Sequence, residues 1–126
     1  MMKPMLVSRV LSPKGLVIKE NKPSELYKVM DRDTAAAVGW MMQQVVKGGT
    51  GKKAAVNGIK VAGKTGTAEN ELSIKQKNKE HAWFICFAPV NDPQVAIAVT
   101  LEYSGSTGGD VAAPIARELM KQVLGK

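Results

Sequence analysis

The segment Gly63-Lys64-Thr65-Gly66-Thr67 gathers an ammonium, two hydroxyls and two glycines within five positions. Cationic and hydroxyl donors side by side grip anions, and glycines let a ligand approach the backbone closely. Two parses of this segment compete. Counted from Gly58, the residues Gly58-Ile59-Lys60-Val61-Ala62-Gly63-Lys64-Thr65 satisfy the spacing G-x-x-x-x-G-K-(S/T) of a phosphate-binding loop, which would make the chain a nucleotide-binding module. That loop needs a strand before its first glycine and a helix starting at its lysine, so that backbone N–H groups and the helix dipole meet the phosphates. Here a Gly/Lys-rich connector precedes Gly58, and Thr65-Gly66-Thr67, all poor helix starters, follow Lys64. The β-branched residues at 59, 61, 65 and 67 instead predict a strand over 58–69 that something approaches closely. On a strand Lys64 shares a face with residue 66, which is Gly66, so Thr65 and Thr67 act from the opposite face or through backbone groups.

Other chemistry-bearing residues are sparse. His81 stands alone without a paired serine or cysteine motif and reads as structural. Cys86 is the single cysteine, set in the apolar run Trp83-Phe84-Ile85-Cys86-Phe87-Ala88, so the chain forms no internal disulfide and assembles no zinc set. The net charge of +7 favours anionic partners. The basic clusters Lys52-Lys53 and Lys75-Lys77-Lys79 carry no interleaved aromatics to stack bases, which argues for solvated loops and against nucleic acid. No run approaches the 18 or so apolar residues of a membrane span, and the start lacks the pattern of a signal peptide, so the chain is expected to be soluble. It opens abruptly on strand-like residues, as a segment of a longer protein would.

The elements that must position the Lys64 segment follow from periodicity. Residues 5–11 and 16–20 form a hairpin around Ser12-Pro13-Lys14-Gly15. Asp31 or Asp33 caps a helix whose apolar face is Val38, Met41, Met42, Val45 and Val46, and Gly48-Gly49-Thr50-Gly51 ends it. After the 58–69 strand comes a charged loop, residues 70–80, then strands over 82–90 and 94–102 joined by Asn91-Asp92-Pro93, giving a meander. Beyond the loop Ser104 to Gly109, Asp110 caps a last helix with the stripe Val111, Ile115, Leu119 and Val123 facing the core. The fold class is α+β, an antiparallel sheet built from the N-terminal hairpin and the meander, with two helices covering one face.

The match to a second parse spreads well beyond three residues. Val61-Ala62-Gly63-Lys64-Thr65-Gly66-Thr67-Ala68-Glu69, a variable loop, then His81-Ala82-Trp83-Phe84-Ile85-Cys86-Phe87-Ala88-Pro89, with Gly49-Thr50-Gly51 upstream, closely resembles the C-terminal half of the transpeptidase domain of class B penicillin-binding proteins. The resemblance covers residues 1–126, from the opening hairpin to the last helix, and implies part of a β-lactamase/transpeptidase-like fold. It implies that Lys64, Thr65 and Thr67 hold the terminal carboxylate of a D-alanyl-D-alanine peptidoglycan stem peptide or of a β-lactam. Gly66 would leave room for the ligand, which lies along the strand as an added ladder member. By the same resemblance the Thr67 N–H supplies half of an oxyanion hole, the nucleophilic serine's own amide the other half. Lys64 and Thr67 are thus the catalytic candidates and Lys64, Thr65, Gly66 and Thr67 the substrate-binding ones, with no metal and no cofactor. The chain departs from the family in one respect: none of its serines begins an S-x-x-K or an S-x-N. A hydroxyl with no base beside it is a weak nucleophile, so the isolated chain is expected to be catalytically silent. The serine-bearing half is expected upstream in a parent protein that is extracytoplasmic and anchored to the bacterial membrane. A fragment lacking half its partner layers is expected to self-associate. A non-catalytic scaffolding piece is the remaining alternative.

Overall fold

In the computed structural model, which describes residues 1–76 and 79–126, the Ser12-Pro13-Lys14-Gly15 turn closes a hairpin as its composition predicts. Gly15 adopts φ +79°, its N–H donates to Ser12 O, and the Ser12 hydroxyl accepts from Leu16 N. The paired strands, β1 (Arg9–Leu11) and β2 (Val17–Glu20), are shorter than the apolar runs suggest. Asn21 marks the end of the pairing: its backbone N–H still donates to Ser8 O in register, at 2.8 Å, but its side-chain amide takes Val7 O, also at 2.8 Å, an acceptor a longer ladder would use. The hairpin forms a two-stranded sheet of its own, within a unit spanning Met1–Ala35. No residue of that unit is buried, so hydrogen bonds and not burial hold it together.

The second unit spans Ala36–Lys126. Helix α1 (Arg32–Gly48) starts where Asp31 Oδ1 accepts from Thr34 N at 2.7 Å, and that bond holds the Asp31 carboxyl below its ordinary range. Of the predicted apolar face, Val46 is buried and Met42 and Val45 are half-buried, while Val38 and Met41 are exposed. Gly39, absent from that predicted face, is buried against the Phe87 ring, 3.5 Å from where its Cβ would sit.

Strands β3 (Ala62–Ala68), β4 (His81–Ala88) and β5 (Val95–Leu101) form the expected antiparallel meander in the order β3-β4-β5. The register pairs Thr65 with Phe84 and Phe84 with Val99, so these share one face; Lys64, Ile85 and Ala98 share the other. Strand β4 alternates buried and accessible residues along its length, with Ala82, Phe84, Cys86 and Ala88 inward. Phe84 and Met120 are fully enclosed, each worth about 2 kcal/mol of apolar burial. Much of the remaining core is alanine: Ala54, Ala62, Ala82, Ala88, Ala112, Ala113 and Ala116 have no accessible surface.

Four expectations fail here. The region read as a charged loop contains a short helix, α2 (Glu71–Lys75), started by Asn70, whose side chain accepts from Leu72 N and Ser73 N while Ser73 Oγ accepts from Asn70 N; Lys77 of the basic cluster lies outside the described residues. The last helix is not capped by Asp110. Thr107 takes that role, its hydroxyl accepting from Asp110 N, and a π-helical turn over Gly108–Ala112 leads into α3 (Ala113–Val123). The stripe Val111, Ile115, Leu119 and Val123 does not face the core: Val111 is half-buried and the other three are exposed. Ala112, Ala113, Ala116 and Met120, one position along the helix, take the buried face. The π turn brings backbone against the sheet, and only small side chains fit between them. Gly108 makes this explicit, because a Cβ there would lie 1.9 Å from Trp83 O. The helices also do not simply share one face: α3 covers the Phe84 side, whereas α1 sends Val46 into that same core and lays Gly39 against Phe87 on the other.

Candidate functional site

The Lys64 segment lies in the middle of β3, which overturns the phosphate-loop parse. Gly58 occupies a turn at φ +76° with an isolated bridge between Val56 and Ile59, and Lys64 is the third residue of a strand, not the first of a helix. No helix N-terminus lies at the lysine to meet a phosphate. The predicted strand therefore begins at Ala62, after the turn over residues 56–59 and two residues, 60–61, outside any regular element.

As expected for a strand, the four candidate residues divide between faces. Lys64 is exposed beside Ile85, and its Nζ donates to Thr65 O at 2.7 Å, leaving ammonium protons free for a ligand. Gly66 shares that face, opposite Trp83, whose Cβ lies 3.2 Å from the place a Gly66 Cβ would occupy. Thr65 and Thr67 point to the Phe84 side. Thr67 is exposed and lines a cleft of about 430 Å³ with Glu69, Glu80, Gly105, Ser106 and Thr107. Among the described residues β3 pairs only with β4, so its outer edge keeps backbone groups available to an extended ligand.

One residue that sequence reasoning assigned no role is brought to the site. Thr50, in the connector after α1, places its hydroxyl 2.8 Å from the Thr65 hydroxyl. The signal in the sequence was the pair of glycines flanking it. A Cβ on Gly51 would lie 3.1 Å from Phe84 Cε2, and one on Gly49 2.9 Å from Val45 O. Behind this pair the π turn is seated by a second glycine, since a Gly109 Cβ would fall 2.1 Å from Thr50 O.

Charge is arranged around the same point. Asp110 binds Lys53 Nζ through Oδ1 at 2.9 Å and accepts from Thr107 Oγ1 through Oδ2 at 2.7 Å. The Lys53 bond first, and the Thr107 bond second, hold its carboxyl below the ordinary aspartate range. Lys52, Lys53, Thr50 and Thr107 border a second cleft of about 410 Å³. His81 is structural, as read: its Nδ1 accepts from Tyr103 N at 2.9 Å, holding Tyr103 at φ +51°. Cys86 is buried against Met120, Sγ to Sδ 3.8 Å, and burial pushes its thiol up to about 11. Among the described residues no three His, Cys, Asp or Glu side chains converge as metal ligands. No helix among them is long and apolar enough to cross a membrane.

Residues 1–121 match the family model described as the penicillin binding protein transpeptidase domain. The chain is 36% identical to the peptidoglycan D,D-transpeptidase PbpA of Mycolicibacterium smegmatis over 98% of its own length and 26% of that protein's. It is 35% identical to the stage V sporulation protein D of Bacillus subtilis over 85% of its length and 17% of that protein's. Among solved structures it superimposes on penicillin-binding protein A of M. tuberculosis, a ceftriaxone acyl-enzyme complex, with a TM-score of 0.87 and 33% identity, over 98% of this chain and 28% of that one. The D,D-transpeptidase domain of a peptidoglycan glycosyltransferase from Eggerthella lenta gives a TM-score of 0.83 at 37% identity, again over 98% and 28%. The chain thus spans between 17% and 28% of the length of these relatives. A Lys-Thr-Gly-Thr strand with an open edge, a fold shared at this similarity and a family match over nearly every residue lead to one conclusion: the chain belongs to the penicillin-binding protein transpeptidase domain family.

Proposed function

We propose that this chain is the substrate-clamping portion of a peptidoglycan D,D-transpeptidase, an enzyme that cross-links stem peptides by acyl transfer through a serine and that binds penicillin. The observation that carries the reading is that Lys64-Thr65-Gly66-Thr67 lie on a strand whose outer edge is unpaired among the described residues. A D-alanyl-D-alanine end lies along that edge as an added strand, with its carboxylate held by Lys64 and by the hydroxyls of Thr65 and Thr67. Gly66, with no side chain of its own, leaves room for the ligand backbone. The Thr67 N–H donates to the developing oxyanion, where a preorganised donor is worth several kcal/mol because it needs no reorganisation during reaction. A β-lactam carboxylate occupies the same clamp.

The nucleophile comes from outside these residues, because none of the six serines begins an S-x-x-K. The complete enzyme works outside the cytoplasm, where its peptidoglycan substrate lies, anchored to the membrane by another segment. Alone, this portion associates with itself: Trp83 and Ile85 on the outer sheet face are 42% and 47% exposed, and β5 also has an unpaired edge among the described residues. The test is labelling with a fluorescent penicillin. The 126-residue chain takes up no label, and a longer chain that includes an S-x-x-K serine is acylated, with Lys64→Ala slowing its acylation at least tenfold. A longer chain that folds and stays unlabelled would leave only the scaffolding reading.

A further inference from the structure

We infer that Thr50 is a positioning residue for the clamp: its hydroxyl donates to Thr65 Oγ1 and so frees the single Thr65 proton to point at an anionic ligand. The inference rests on the clamp reading and extends it to a residue fifteen positions upstream. The two oxygens are 2.8 Å apart, a distance at which one hydroxyl donates to the other, and in the free chain either serves as the donor. A carboxylate removes that freedom. It only accepts, so when Thr65 donates to it, Thr65 must accept from Thr50. The two bonds then run in one direction, each polarising the next.

The surroundings of Thr50 are built to hold it there. Gly49 N and Gly51 N both donate to Val45 O, at 3.1 and 3.0 Å, which pins the connector to the last turn of α1. Neither flanking glycine has room for a side chain without displacing Val45 or Phe84. On the other side Gly109 of the π turn abuts Thr50 O, and a Gly109 Cβ would come within 3.3 Å of Thr65 Cγ2. Helix α1, the core phenylalanine and the start of the last helix therefore converge on one backbone position. What that position presents to β3 is a hydroxyl.

The experiment compares the whole chain with Thr50→Val, which keeps the shape and removes the hydroxyl, and with Thr50→Ser, which restores it. In the free protein, NMR couplings show one Thr65 χ1 rotamer for the parent and Thr50→Ser, and averaging for Thr50→Val. A single rotamer in Thr50→Val with an otherwise unchanged amide spectrum overturns the inference. With N-acetyl-D-alanyl-D-alanine as the probe, Thr50→Val binds about two- to tenfold more weakly, the range for losing one neutral hydrogen bond. The C-terminal amide of the same dipeptide shows no such difference, and Thr50→Val adds nothing when Thr65 is already Val. Losses that add in the double variant, or that are equal for acid and amide, also overturn it. If the rotamer unlocks while no form of the chain binds the dipeptide, positioning by Thr50 stands and the carboxylate clamp falls.

Discussion

Gly108 is the most tightly enclosed of the glycines, and Gly108→Ala measures how firmly the last helix is locked to the clamp strand. The added methyl would lie 1.9 Å from Trp83 O and 2.7 Å from Gly66 O, where real contacts stay beyond 3.0 Å. Both obstacles are backbone atoms of paired strands, so no side chain can swing aside; the π turn or the sheet must retreat by more than about 1 Å. Such overpacking costs about 3 kcal/mol, the upper part of the range for inserted methyl groups, because two hydrogen-bonded elements separate together. With a urea slope of about 1.5 kcal/mol/M the unfolding midpoint drops by about 2 M. The assay is equilibrium denaturation followed by tryptophan fluorescence, since Trp83 lies on β4 beside the contact. Gly48→Ala is the control: nothing lies within 4 Å of its Cβ position and it ends α1, so it is neutral or slightly stabilising. A Gly108→Ala midpoint within experimental scatter of the parent would refute the idea that the π turn is wedged against the sheet.

Cys86, buried and with its thiol raised to about 11, stays unmodified by a thiol reagent at pH 8 in the folded chain and reacts fully in denaturant; rapid labelling of the native form would contradict its place beside Met120. Asp110 has a folded-state pKa below its unfolded one, so its contribution is present above about pH 4 and is lost as pH falls through the lowered value. Lys53→Ala removes the leading cause, and a carbon-13 titration of the Asp110 carboxyl then moves to higher pH; no movement would show that the ion pair does not form in solution. Sedimentation of the chain shows dimers or larger species that Ile85→Lys, on the exposed sheet face, shifts toward monomer; a parent that sediments as a clean monomer would remove the case for self-association.

How far the fold was legible in the sequence depended on whether the deciding contacts were local. The β3 strand, the turn at Gly15 and the Asp31 cap follow from periodicity and short-range hydrogen bonding; the turn and the cap form where their residues indicate, and the strand forms over residues 62–68 of the expected 58–69. The family was legible for the same reason: its motif string is contiguous on β3 and β4. The facing of α3 was not. A hydropathy stripe selects Ile115, Leu119 and Val123, but the close approach of Gly108 to Trp83 O leaves room only for alanines at the interface, and that approach is a long-range fact. The Asn70 capping box escaped notice because its helix is a single turn in a segment crowded with lysines. Thr50 was visible only as a residue between glycines, since its partner is fifteen residues away and meets it only once α1, β3 and the π turn have packed.

The alanine core has a consequence for how such a domain can change over generations. Half of its fourteen buried apolar positions among the described residues carry a side chain that leaves almost nothing to delete and little space to enlarge. Inherited variation is therefore channelled outward, to the rim of the clefts, the outer face of β4 and the lysine-rich connectors, where chemistry can be retuned while the plate behind Lys64 stays the same shape.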